Sequence, residues 1–169
     1  IEGAGIGAGS DTNTVSRNVT AEVDDSEIRA QALKVQAEGK QGISSFTIGA
    51  GAAGIGAGVA GVVTVSEINS KTKAALSASD ADVTTLDVGA NHLARTNAGN
   101  ISVGGAAVGA GIGLSVGVLK DDSDTEAVIA NSEVTSSGDQ KLTATNKTTV
   151  TSGITATGIA GLGAGVAGS

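Results

Sequence analysis

The stretch that decides the fold is Gly51-Ala52-Ala53-Gly54-Ile55-Gly56-Ala57-Gly58-Val59-Ala60-Gly61-Val62-Val63-Thr64-Val65. Ile55, Ala57, Val59, Gly61, Val63 and Val65 fall on one parity, with Gly54, Gly56, Gly58 and Ala60 on the other. A period of two belongs to strands, whose successive side chains point to opposite faces. One face carries branched aliphatics, which stacking of extended chain is expected to hide from water. The other carries almost no side chain, so a neighbouring backbone or sheet can approach closely.

The pattern returns. Val108, Ala110, Ile112, Leu114, Val116 and Val118 alternate with Gly109, Gly111, Gly113, Ser115 and Gly117, and Leu162, Ala164 and Val166 alternate with Gly161, Gly163 and Gly165. Gly/Ala-rich segments at 3–10, 48–65, 101–119 and 154–169 are led, from the second onward, by Ile48, Ile101 and Ile154, and each isoleucine is 53 residues from the next (101 − 48 and 154 − 101). The polar segments between them also align. Ser26-Glu27-Ile28 matches Asp82-Val83 and Ser132-Glu133-Val134, and Leu33-Lys34-Val35 matches Leu86-Asp87-Val88 and Leu142-Thr143-Ala144. Repetition at this interval is the mark of a solenoid, in which each unit buries its inner face only against its neighbours. The expectation is an all-β parallel β-helix over 1–169, with units 1–47, 48–100, 101–153 and a partial 154–169. Both ends lie inside the same pattern, as in a fragment of a longer array.

Two membrane readings compete with this one. Residues 48–65 form an uncharged run of about eighteen residues, near the length of a transmembrane helix. Against a helix, the six glycines of that span would each cost roughly 1 kcal/mol relative to Ala, and the alternation follows strand parity. A membrane β-barrel needs aromatic girdles, and this chain has one Phe and no Tyr or Trp. No membrane insertion by this segment is expected.

The polar halves read as shorter strands over 18–23, 73–77 and 126–130, then 32–37, 85–90 and 141–145. Turn signals lie at Asp24-Asp25, Glu38-Gly39, Asn97-Ala98-Gly99-Asn100 and Ser137-Gly138-Asp139. Each repeat is expected to supply two rungs, with a single elongated rung as the alternative. The core must be filled by Ala, Val, Ile, Leu and backbone, because hydrophobic residues make up 40% of the chain and aromatics 1%. The 27 Gly come with no Pro, which suits long uninterrupted ladders of backbone hydrogen bonds. A net charge of −7 disfavours nucleic acid and anionic headgroups as partners. Without Cys, neither a disulfide framework nor a thiolate metal site is available.

Blocks such as 51–65 followed by Asn69-Ser70-Lys71-Thr72-Lys73-Ala74-Ala75-Leu76, and Asp124-Thr125-Glu126-Ala127-Val128-Ile129 continuing through Val134 to Leu142-Thr143-Ala144-Thr145-Asn146, resemble giant repeat-containing surface proteins of Gram-negative bacteria. These are the leukotoxin-type filamentous adhesins and autotransporters, akin to filamentous-haemagglutinin-like exoproteins. The resemblance implies a right-handed parallel β-helix passenger, exported to the cell surface or medium, that works in adhesion or as a rigid spacer. Its partners would be neighbouring repeats, a host receptor, or further copies end to end. No functional residue carries over from the resemblance.

No catalytic, cofactor or metal site is expected. His92 is the single His, the only possible base for Ser-His-Asp chemistry, and in Asn91-His92-Leu93 it reads as a solvated residue at a turn or strand end. Asp80/Asp82 and Glu22/Asp24 have the parity of paired glycosidase carboxylates, though such spacing is common on any solvated strand. Asp122, Asp124 and Glu126 are alternate oxygen donors of the kind calcium takes, but they lack the glycine and spacing of a standard calcium loop, and a solvated turn is the expected reading. Gly51 to Gly58 lacks the Lys-Ser/Thr of a phosphate loop. A carbohydrate-active β-helix enzyme and a self-assembling fibre former are the alternatives to a structural or adhesive segment.

Overall fold

The computed structural model describes residues 2–169; Ile1, the first residue of unit 1–47, lies outside the described residues. Six strands run in parallel: β1 Gly5–Asp24, β2 Glu27–Ser77, β3 Asp80–Asp121, β4 Asp124–Ala130, β5 Glu133–Ser136 and β6 Gln140–Gly168. They form one curled sheet in which β1 pairs with β2, β2 with β3 and β4, and β3 with β5 and β6. Residues 48–65 lie inside β2, and no described helix is long and apolar enough to cross a membrane.

Every residue of β1 pairs with the residue 53 further on, as in Gly5 with Gly58 (58 − 5) and Asp24 with Ser77 (77 − 24). The same interval joins β2 to β3 and β4. The chain therefore makes one long circuit per repeat, not two rungs. Ile48 stacks on Ile101, but Ile101 stacks on Thr155, because from Leu86 onward the interval is 54 (140 − 86). The extra residue is absorbed at 137–139, where the Gly138 amide donates to the Thr84 carbonyl at 2.8 Å and the Leu86 amide to Asp139 at 3.0 Å. The side-chain alignment also differs from that read in the sequence. Ile28 stacks on Ala81 and Val134, and Leu142 on Val88.

Each circuit is folded flat. A front layer (4–24, 57–77, 110–130, 164–168) and a back layer (32–54, 85–107, 140–161) face one another, and a short side (27–30, 80–83, 133–136) closes the wide end. Where the layers meet, they touch through backbone. A Cβ at Gly51 would collide with the Val59 carbonyl, one at Gly104 with that of Ile112, and one at Gly158 with that of Val166. At the wide end there is room for side chains. Leu76, Leu86, Val88 and Ala81 are buried there, with Val19, Ile28, Ile129 and Val134 packed around them. Each fully buried Leu or Val contributes about 1.5–3 kcal/mol.

Two kinds of tight turn make the circuit. At the narrow tip Gly3, Gly56, Gly109 and Gly163 all have positive φ (149°, 120°, 127° and 138°). Each of the last three stands so close above the one before that a Cβ would meet its carbonyl group. No L side chain suits that backbone. At the wide end Asp25, Ala78 and Asn131 take left-handed φ near 50° (46°, 47° and 51°), and a serine follows each. The Ser26 amide donates to the Ser79 hydroxyl and the Ser79 amide to the Ser132 hydroxyl, both at 3.2 Å. Each hydroxyl in turn donates to the carbonyl two residues back. Of the predicted turns, Asp24-Asp25 and 137–139 do interrupt strands. Glu38-Gly39 and 97–100 run straight through, because their glycines serve packing: Gly39 lies against Thr72, and Gly99 under the ring of Phe46.

Candidate functional site

The parity read from the sequence holds, but its polarity is reversed in the glycine-rich half. The branched face, expected inside, points outward. Ile6, Val63, Leu114, Val116, Val118 and Val166 are 45–78% exposed on the front layer, and Ile48 and Ile159 are exposed on the back. The reason is steric. Where two backbones are in contact they leave no space for a branched side chain between them, so the glycine parity faces inward, with Val62 accommodated only opposite Gly49.

Between the tip and the wide end, polar side chains line the interior. Thr47, Thr64, Ser66, Ser70, Thr72, His92, Thr96, Asn100, Ser102 and Ser115 are all buried, where an interior of Ala, Val, Ile and Leu was expected. Four groups make a chain across the layers. The Thr64 hydroxyl donates to Asn100 Oδ1 at 2.5 Å. Its one proton is thereby committed, so Thr47 donates to Thr64 at 3.1 Å. Asn100 Nδ2 donates to the Val116 carbonyl at 3.0 Å. The chain steps back and front and joins one circuit to the next. Hydrogen-bonded burial of this kind is cheap where an unpaired hydroxyl is costly.

His92 is not a solvated residue at a turn or strand end; it is 2% exposed inside β3. It shares the inward parity of Val88, Ala90 and Ala94, and Gly39 below it leaves room for the ring. Its Nδ1 lies 3.4 Å from Thr72 Oγ1, and its Nε2 meets no described protein partner. No described carboxylate hydrogen-bonds to the ring.

The other residues singled out in the sequence stay on the outside. Glu22 and Asp24 are exposed and stack on Ala75 and Ser77. Asp80 and Asp82 do share an exposed face, where Asp80 stacks between Glu27 and Glu133 and Asp82 between Arg29 and Thr135. Arg29 is paired to Glu27 at 3.0 Å. Asp122 is bound to Lys120 at 2.5 Å, Asp124 lies 3.8 Å from Lys71, and Lys120 also reaches Glu67 at 3.1 Å. These two carboxylates are thus turned to cations, and no described group of three or more His, Asp or Glu is arranged to hold a metal ion. The Lys120 ammonium is held above its ordinary range by the hydrogen bonds it donates to Asp122 and Glu67.

Asp121, which the sequence did not single out, has the inward parity instead. Burial pushes its carboxyl up, but hydrogen bonds from the Ser123 and Thr148 hydroxyls and the Ser123 amide outweigh that, with help from the His92 charge, and hold it below the usual range. The signal was in the sequence: Asp121 shares parity with Ser115, Gly117 and Leu119, whereas Asp122 and Asp124 do not.

No family model matches the chain, and neither a curated protein nor a solved structure is similar to it. The class that the geometry defines is an all-β curled parallel sheet.

Proposed function

We propose that this chain is a structural or adhesive segment of a right-handed parallel β-helix, carried by a bacterial surface or secreted filament, and that it has no catalytic role of its own. The observation that supports it is the stacking of the turns. Turn residues fall on turn residues at 25, 78 and 131 and again at 3, 56, 109 and 163, so the unit is built to be continued by stacking. The resemblance to filamentous adhesins supports the surface location.

The dimensions qualify the spacer role. Each circuit of about 53 residues adds only the inter-strand step of ~4.8 Å to the height, while the 20 residues of β1 extend up to about 65 Å across it. Per residue, this is a poor way to gain reach and a good way to gain breadth. The segment presents wide, flat faces, and contact surface is its principal product.

Solution scattering of the monomer tests the reading. A slab of these proportions has a radius of gyration of about 20 Å, against about 15 Å for a compact globule of the same length. A value near the lower figure overturns the proposal. So would release of reducing or unsaturated sugar ends from a polysaccharide panel, which is the activity of a carbohydrate-active β-helix.

A further inference from the structure

We infer that the front face of the glycine-rich half is a homodimer interface, in which two copies pack face to face about a two-fold axis. The face is apolar and uncharged. Residues 41–66, 96–119 and 148–169 contain no Asp, Glu, Lys or Arg, so all 27 charged side chains (10 basic, 17 acidic) lie elsewhere in the chain. Its outward residues belong to four stacked rows ~4.8 Å apart, three of about nine residues and a shorter one at 164–168, which at ~3.3 Å per residue cover roughly 500 Å². That is at the upper end of what a monomer leaves exposed. Doubled, about 1,000 Å² reaches the size at which an interface becomes specific.

Shape decides between occupants. Ala8, Gly61, Leu114 and Gly168 form one column across the rows. Three of them are small and one is a half-exposed Leu. Gly61 sits in a groove of about 450 Å³ lined also by Ala8, Val63 and Val116, and a Cβ added there would meet open space. A two-fold axis lying in the face, parallel to the strands and between β2 and β3, brings each copy's Leu114 over the other copy's Gly61. Knob and hole are thus supplied by the same surface, as an isologous interface requires. Flat sheets pack in this way about 10 Å apart. A lipid surface fits less well, since Lys120 at the border of the face is paired with Asp122 and Glu67 and the chain carries a charge of −7.

Sedimentation of the full chain across a concentration range tests the assignment. The wild type is expected to be a dimer in equilibrium with monomer. Gly61→Leu fills the hole and Leu114→Gly removes the knob, and each should weaken association about tenfold or more. The double variant Gly61→Leu/Leu114→Gly exchanges knob and hole and should recover most of the affinity. Circular dichroism checks that each variant is folded, and Leu114→Ser, at a half-exposed position, serves if the glycine variants are not. A wild type that stays monomeric, a Gly61→Leu variant that dimerises unimpaired, or a double variant no better than the singles overturns the proposal. A monomer that instead co-sediments with phosphatidylcholine vesicles also overturns it and assigns the face to lipid.

Discussion

Gly109 stands directly on Gly56: a Cβ on the upper residue would lie against the lower one's carbonyl oxygen. Both have positive φ, 127° and 120°, so the tip excludes side chains twice, by torsion and by contact.

Gly109→Ala is therefore expected to destabilise the chain by about 3 kcal/mol, from backbone strain and overpacking together. Gly61→Ala, whose new methyl meets open space, should change stability by less than about 0.5 kcal/mol. Urea midpoints of the two variants make the comparison, and equal effects would show that the tip is not built as described.

The pair Thr64 and Asn100 should be energetically coupled. Thr64→Val leaves Asn100 Oδ1 without its donor, and Asn100→Leu deprives both Thr64 and the Val116 carbonyl. Each is expected to cost about 1–3 kcal/mol, and the double variant less than the sum. Strict additivity in a double-mutant cycle would mean that the hydrogen bond is absent in solution.

At the wide end the prediction has the opposite sign. Ala78 holds a φ of 47° between Asp25 and Asn131 at the equivalent positions. A left-handed residue with a Cβ costs about 1–2 kcal/mol, so Ala78→Gly should stabilise the chain by about 1 kcal/mol. A lowered melting temperature would contradict this.

Asp121 gives the pH dependence. Its folded carboxyl titrates below the ordinary aspartate value of about 4. Its contribution is therefore complete above that value and lost as pH falls through the lower, folded one. The stability gap between wild type and Asp121→Asn should be constant from pH 7 to about 5 and shrink as acid is added below about 4. Midpoints measured down this series check it; a gap that does not narrow rules the assignment out.

Much of this molecule was legible in its residues. Alternation of Ala, Val and Ile with Gly specified extended chain, and the recurrence of Ile48 as Ile101 specified which residues would stack. Asp25 and Gly138 marked real turns. Of the turns before the serines at 26, 79 and 132 only Asp25 was read; Asn131 was passed over, and Ala78-Ser79 lacks the Asp or Asn that would signal one. His92 was misplaced for a related reason. Its neighbours Asn91 and Asn97 look like loop residues, and only the inward parity of Ala90 and Ala94 shows that the ring is enclosed.

Periodicity alone established that two unlike surfaces alternate along each strand, since that depends only on where successive side chains point. Which surface is interior was settled by the spacing of the layers. At the wide end, separated layers admit Leu76 and Val88. Toward the tip, touching backbones leave the interior to glycine and a few small inward residues such as Ala60, and Val63, Leu114 and Val116 are left facing out.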